Sequence, residues 1–282
     1  RTNLASMSTE HAIKRIFHPT DLSRSSEVAF HHALRLAVEA RASLTILHVG
    51  SDTESWDEMP QVRRTLKRWG LLKDENDTEE FLTLGILIRK LMVGAGDPLK
   101  ACKEYLEDHP TDLVVLATHQ DAGRMAWLKQ KVAEPLVRAV GEATLLVPSE
   151  CPGFVDPKTG SVGLRRILLP IASDPDPAQA VRAATLVSRH LGSGDMEFTL
   201  LYVGASADMP TPELPVRDGW KWDRIAREGD IVETILAVEK EIRADLIVMA
   251  TKGHDGFLDA LRGSTTERVL RGASCPMLTG VV

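Results

Sequence analysis

"DLIVMA", residues 245–250, places an aspartate before an unbroken apolar run. Short runs of this kind, with no polar alternation, read as strands buried on both faces of a parallel sheet. The run leads straight into "TKGHDGFLDALRGST", residues 251–265, which carries three glycines. "STTERVLRG", residues 264–272, follows with helical spacing of its apolar residues.

The same text occurs earlier in the chain. "ADLIVMATK" at 244–252 answers "TDLVVLATH" at 111–119. "LRRILLPIA" at 164–172 answers "IKRIFHPTD" at 13–21, and "FTLLYVG" at 198–204 answers "LTILHVG" at 44–50. "TERVLRGA" at 266–273 answers "AEPLVRAV" at 133–140. The order is identical, and the period is far too long for a solenoid. The chain therefore reads as two copies of one domain, at 8–150 and 163–282. The Pro- and Gly-rich residues 151–162 between them read as a linker. Residues 1–7 read as a tag remnant and disordered start, with Met7 as the expected native initiator.

In the second copy, "RRILLPI", "EFTLLYV", "DLIVMA" and "PMLTGVV" predict strands. "PAQAVRAATLVSRHLG" predicts an amphipathic helix ending at Gly192, and "DIVETILAVEKEIR" one capped by Asp230. Residues 205–219 read as a Pro-rich loop. The first copy repeats the plan and adds a helix at residues 61–70. Alternating strands and helices predict an α/β fold: two tandem copies of an open, mostly parallel five-stranded sheet with helices on both faces. The last strands, "EATLLVPS" and "CPMLTGVV", are expected to pair with each other, satisfying edges that would otherwise stay open.

Composition narrows the function. The chain has 282 residues, 43% of them hydrophobic, with a net charge of -6. That charge argues against a nucleic-acid or anionic-membrane surface. No apolar run is long enough for a membrane span. Three scattered cysteines, with no C-x-x-C pair, predict neither a zinc site nor a disulfide framework and fit a reducing cytoplasm.

Ligands of open α/β sheets bind beyond the carboxyl ends of the strands, where the glycine stretch lies. Gly253 allows a turn just past the strand. Gly263 and Ser264 stand at a predicted helix start, where free N–H groups and a hydroxyl suit an anion. The nine residues between the glycines have the length of a flap around a phosphate chain. Ser264 and Glu267 also match a capping box, which a helix needs with or without a ligand.

These residues resemble the universal stress protein family in its tandem two-domain form, over nearly all of residues 12–282. Nucleotide-binding members carry Gly-x2-Gly-x9-Gly-Ser/Thr after the fourth strand. That register falls on Ala250, Gly253, Gly263 and Ser264, with alanine replacing the first glycine. The resemblance implies that the second copy binds ATP or AMP, with Mg accompanying ATP and no structural metal. It implies that Thr251 and Thr265 belong to the nucleotide-binding set and that Ile171, Ala172 and Val203 line the adenine side. Core packing is the competing reading for Ile171 and Val203.

The family's Pro-x-Asp pattern after the first strand survives in the first copy as Pro19, Thr20 and Asp21, a first-domain remnant. The second copy has Ala172 in place of the aspartate. In the first copy the glycine register is lost: Ala117, Gln120, Gln130 and Lys131 occupy it.

No catalytic set assembles. Ser264 lacks a nucleophile-elbow context. His254 and Asp255 read as flap residues, Cys275 as buried, and Trp69, Trp127 and Trp222 as packing residues. The Ser-Gly-Gly-x-Asp-Ser loop of ATP pyrophosphatases is absent after either first strand. The readings that stand are a stress-response regulatory binder with little or no turnover, a scaffold that binds no nucleotide, and a slow ATPase. The expected partners are an adenine nucleotide and a second chain in a homodimer.

Overall fold

The computed structural model describes residues 12–50, 55–94, 96–118, 143–148, 151–192, 194–250 and 265–280. Ten strands form one continuous sheet in the order β3-β2-β1-β4-β5-β10-β9-β6-β7-β8. The first half contributes β1 (Arg15–Thr20), β2 (Ser43–Val49), β3 (Leu87–Val93), β4 (Leu113–Thr118) and β5 (Ala143–Pro148). The second contributes β6 (Arg166–Ile171), β7 (Met196–Val203), β8 (Trp220–Arg227), β9 (Leu246–Ala250) and β10 (Met277–Gly280). All pairings within a half are parallel. β5 pairs antiparallel with β10, with Leu145 opposite Leu278 and Thr144 opposite Thr279.

The aspartate that opens each repeated apolar run has a structural task. Asp112 accepts hydrogen bonds from the N–H groups of Lys14 and Arg15 and pairs with the Arg15 guanidinium at 3.0 Å. Asp245 does the same for Arg165 and Arg166. Each carboxylate thus satisfies the backbone at the start of a central strand, which explains why the residue recurs.

Helices cover both faces. On one face lie α1 (Arg24–Ala40), α2 (Val62–Arg68) and α5 (Pro177–Leu191). On the other lie α4 (Pro98–Asp108), α6 (Ile231–Ile242) and α7 (Thr265–Gly272). The short α3 (Thr78–Thr83) starts at Asp77, whose side chain accepts from the Glu80 N–H. Asp176 and Asp230 cap α5 and α6 in the same way, accepting from the second or third backbone N–H. Both apolar cores run across the seam. One holds Phe30 and Leu34 of α1 together with Val181 and Val187 of α5, and the other holds Leu106 of α4 with Ile235 of α6.

Two features differ from the sequence reading. β3 and β8 are strands that it left unplaced, each at an outer edge with alternating or partial exposure. The linker is not a loose tether. Cys151, Phe154 and Val155 are buried, and Val155 bridges Val162. His32 donates from Nδ1 to the Val28 carbonyl at 2.8 Å, while its Nε2 accepts the Phe154 N–H at 3.0 Å. The Trp69 indole donates to the Pro157 carbonyl at 3.2 Å. The segment looked polar enough for solvent because its few apolar residues are the ones turned inward.

Gly153 is central to this clasp. Its φ is +71°, and a Cβ there would lie 2.1 Å from the His32 ring. His32 is fully buried and fixed by two hydrogen bonds, so it has nowhere to move. Gly70 has the same φ with open space around it. Gly70→Ala is expected to cost about 1 kcal/mol, the left-handed strain alone. Gly153→Ala is expected to cost at least about twice that, because a buried overlap is added. Urea denaturation of the two variants measures the difference, and equal losses would refute the clasp.

Candidate functional site

In the second half, β7, β6 and β9 are neighbours, so their carboxyl ends open on one rim of the sheet. The helix after β6 lies on one face and those flanking β9 on the other. The crevice between β6 and β9 is therefore a topological switch point, where open α/β sheets take their ligands. Ala250 closes β9 and Thr265 opens α7, both partly buried. Ala172, just past β6, is exposed.

Ile171 and Val203 end β6 and β7 but do not converge. Ile171 is 7% exposed and belongs to the core under α5, whereas Val203 packs with the core on the opposite face. Thr251, Gly253, Gly263 and Ser264 lie outside the described residues, as do His254, Asp255, Gln120, Gln130, Lys131 and Trp127.

The equivalent rim of the first half is tightly knit. Pro19 and Thr20 are buried at the end of β1. Thr20 Oγ1 accepts from the Leu22 N–H at 3.1 Å and from the Ser26 hydroxyl at 3.0 Å. The Thr20 carbonyl accepts from His48 Nδ1 at 2.8 Å. Asp21 is exposed, and one of its oxygens accepts the Ser23 N–H at 3.0 Å, shaping the turn into α1. Leu22 has a φ of +60° in that turn.

Behind this rim lies a group of buried rings that composition alone did not reveal. His18 donates from Nδ1 to the Val115 carbonyl at 2.8 Å, leaving Nε2 buried and unpartnered. His31 Nε2 accepts from Arg68 at 2.9 Å. With the Phe154 bond to His32, these partners favour neutral rings. Burial pushes His18, His31 and His32 down to about 4, helped at His31 by the Arg68 charge. Burial likewise pushes the Cys102 thiol up to about 12 and raises Cys275 and Cys151. None of the three holds a reactive thiolate at neutral pH. Among the described residues, no group of three His, Cys, Asp or Glu side chains is placed to hold a metal ion. No helix among them is long and apolar enough to cross a membrane.

An open parallel sheet with helices on both faces and a switch-point crevice defines the doubly wound, Rossmann-like class of α/β folds, to which the adenine-nucleotide alpha-hydrolase-like fold belongs. Within it, the chain belongs to the universal stress protein family, whose model matches residues 12–148 and 214–279. The universal stress protein Rv2005c of Mycobacterium tuberculosis is 24% identical over 271 residues, spanning 83% of this chain and 86% of its own. A universal stress protein of Archaeoglobus fulgidus has the same fold, with a TM-score of 0.59 at 17% identity. That likeness covers 94% of this chain and 97% of the other. The Pseudomonas aeruginosa protein PA1789, described as functionally unknown, gives 0.57 at 12% identity, covering 95% and 92%.

The neutral histidines set a pH dependence. The ordinary value is 6.5, and in the fold the three rings titrate near 4. Between those values the unfolded chain binds more protons than the folded one. Stability is therefore full above about pH 6.5 and is lost as the pH falls toward 4. Each proton that fully differs contributes about 1.4 kcal/mol per pH unit. The urea midpoint is expected to fall from pH 7 to pH 5, and His32→Gln is expected to flatten that slope. A midpoint unchanged over this range would refute the assignment.

Proposed function

We propose that the second half binds an adenine nucleotide, ATP or AMP, with little or no turnover, and that occupancy regulates the chain's associations in a stress response. The observation that carries the reading is the position of the glycine register. Ala250 is the last residue of β9, and Thr265 is the first of α7. The segment spelling Gly253, Gly263 and Ser264 thus runs from a strand's carboxyl end to a helix's amino end, beside a switch point. Phosphate binding uses that combination, since a helix start offers free N–H groups and glycine lets an anion approach them. Ala172, exposed just past β6, supplies no carboxylate to read a base. Mg belongs to the reading only as the counterion of ATP. A homodimer of the whole chain is part of the same reading.

A scaffold that binds no nucleotide is the competing reading, favoured by the loss of the glycines in the first half and of the aspartate at 172. Calorimetry with Mg-ATP and with AMP, on protein stripped of carried-over nucleotide, separates the two. Saturable binding near one site per chain is expected, abolished by Gly263→Val, which blocks the helix start. Ala250→Gly, which completes the register, is expected to bind at least as tightly as the parent. Absence of heat and of thermal stabilisation at millimolar ligand would sink the reading, because stabilisation follows RT ln(1 + [L]/Kd).

A further inference from the structure

A cavity of about 510 Å³ lies where β8 begins, at the end of the sheet opposite the candidate rim. One wall is the last turns of α5, with Leu186, Arg189 and His190. The other is the end of the Pro-rich loop, from Pro215 to Arg217, with Trp220 beside it. That loop is held in place. The Trp222 indole donates to the Pro215 carbonyl at 3.1 Å, and Arg224 donates to the Pro212 carbonyl at 3.3 Å. The Trp220 N–H closes a turn on the Arg217 carbonyl at 3.1 Å. The Trp220 ring packs on fully buried Phe198, with centroids 4.9 Å apart. The walls are therefore set before any ligand arrives, and the volume is that of a small-molecule site.

The chain is acidic overall, yet among the described residues no carboxylate lines this cavity. Its charges are two guanidinium groups. Arg217 is exposed, lies over the Trp220 ring at 5.2 Å and makes no ion pair among the described residues. Arg189 is also exposed and already interacts elsewhere. Burial pushes His190 down, so its ring is neutral at pH 7, and it donates to the Glu39 carbonyl. The Glu39 carboxylate itself is taken by Arg35. Asp218, next to Arg217 in the chain, is exposed and does not line the cavity. Trp220 Nε1 makes no hydrogen bond among the described residues. The cavity thus combines apolar surface, a positive field and two donor groups that no protein acceptor engages.

We propose that this cavity is a second ligand site, taking a small aromatic carboxylate: its ring lies among Leu186, Pro215 and Trp220, and its carboxylate accepts from the Arg217 guanidinium and the Trp220 indole. A planar fork of donors suits a carboxylate, and the charge strengthens each bond. A cation would be repelled by both arginines. A bare inorganic anion would meet the charge but leave the apolar wall against water. The site stands at the amino ends of the strands, so it fills independently of the glycine register at their carboxyl ends.

The test uses the whole chain, with 2-naphthoate as the probe. Calorimetry is expected to show saturable binding near one site per chain. The affinity is expected to exceed that of 2-naphthamide, which lacks the charge, and of acetate, which lacks the rings, by about fivefold or more, the equivalent of about 1 kcal/mol. The chain has five tryptophans. In a proton–nitrogen NMR spectrum the indole N–H signal that Trp220→Phe removes is expected to move as naphthoate is added. Arg217→Gln is expected to leave the melting temperature of the free protein unchanged and to bring naphthoate down to the affinity of naphthamide, whereas Arg217→Lys keeps part of the preference. Gly263→Val, chosen to block the nucleotide, is expected to bind naphthoate as the parent does. No saturable binding at about 10 mM probe, where even a weak site is largely filled, overturns the proposal. So does naphthamide binding as tightly as naphthoate, a Trp220 signal that stays still, or displacement of naphthoate by AMP.

Discussion

Everything in this molecule depends on the antiparallel pairing of β5 with β10. Two five-stranded parallel sheets, each ending in an apolar strand, would otherwise expose a row of backbone donors and acceptors flanked by bare aliphatic side chains. Joining them last strand to last strand satisfies that edge and lets both helical layers run on across it. Phe30 and Val187 share one core because the seam brings α1 and α5 onto the same face. Among the described residues, the sheet's outer edges are β3 and β8, where charged side chains such as Arg89 and Lys221 stand among the apolar ones.

The connection between the halves is built with similar care. A segment rich in proline and glycine is held by the backbone of Phe154 on His32 and by Trp69 on Pro157. Both anchors belong to the first half. The linker is therefore packed into the junction rather than spanning it as a free tether.

The central strands and the long helices could be read from sequence because burial on both faces leaves unbroken apolar runs, and because Asp230 and Gly192 mark helix ends in the expected places. The edge strands could not. β3 carries Arg89 and Lys90, and β8 carries Lys221, Asp223 and Arg224, so neither shows the apolar signal of its neighbours. The candidate rim was legible as a motif, yet Ile171 and Val203 turn to opposite faces, which period-2 alternation along paired strands would have foretold.

The seam also frees the two halves from each other's history. In a dimer of identical chains every substitution at the interface appears twice and must suit its own image. Within one chain it appears once, and the tether keeps the halves at an effective concentration of roughly millimolar. A seam of modest strength then suffices, and each half drifts separately. That asymmetry is visible here: one half has gained two short helices before its edge strand, while the other keeps a Pro-rich loop and the glycines. Each half, on this view, is a permanent partner for the other.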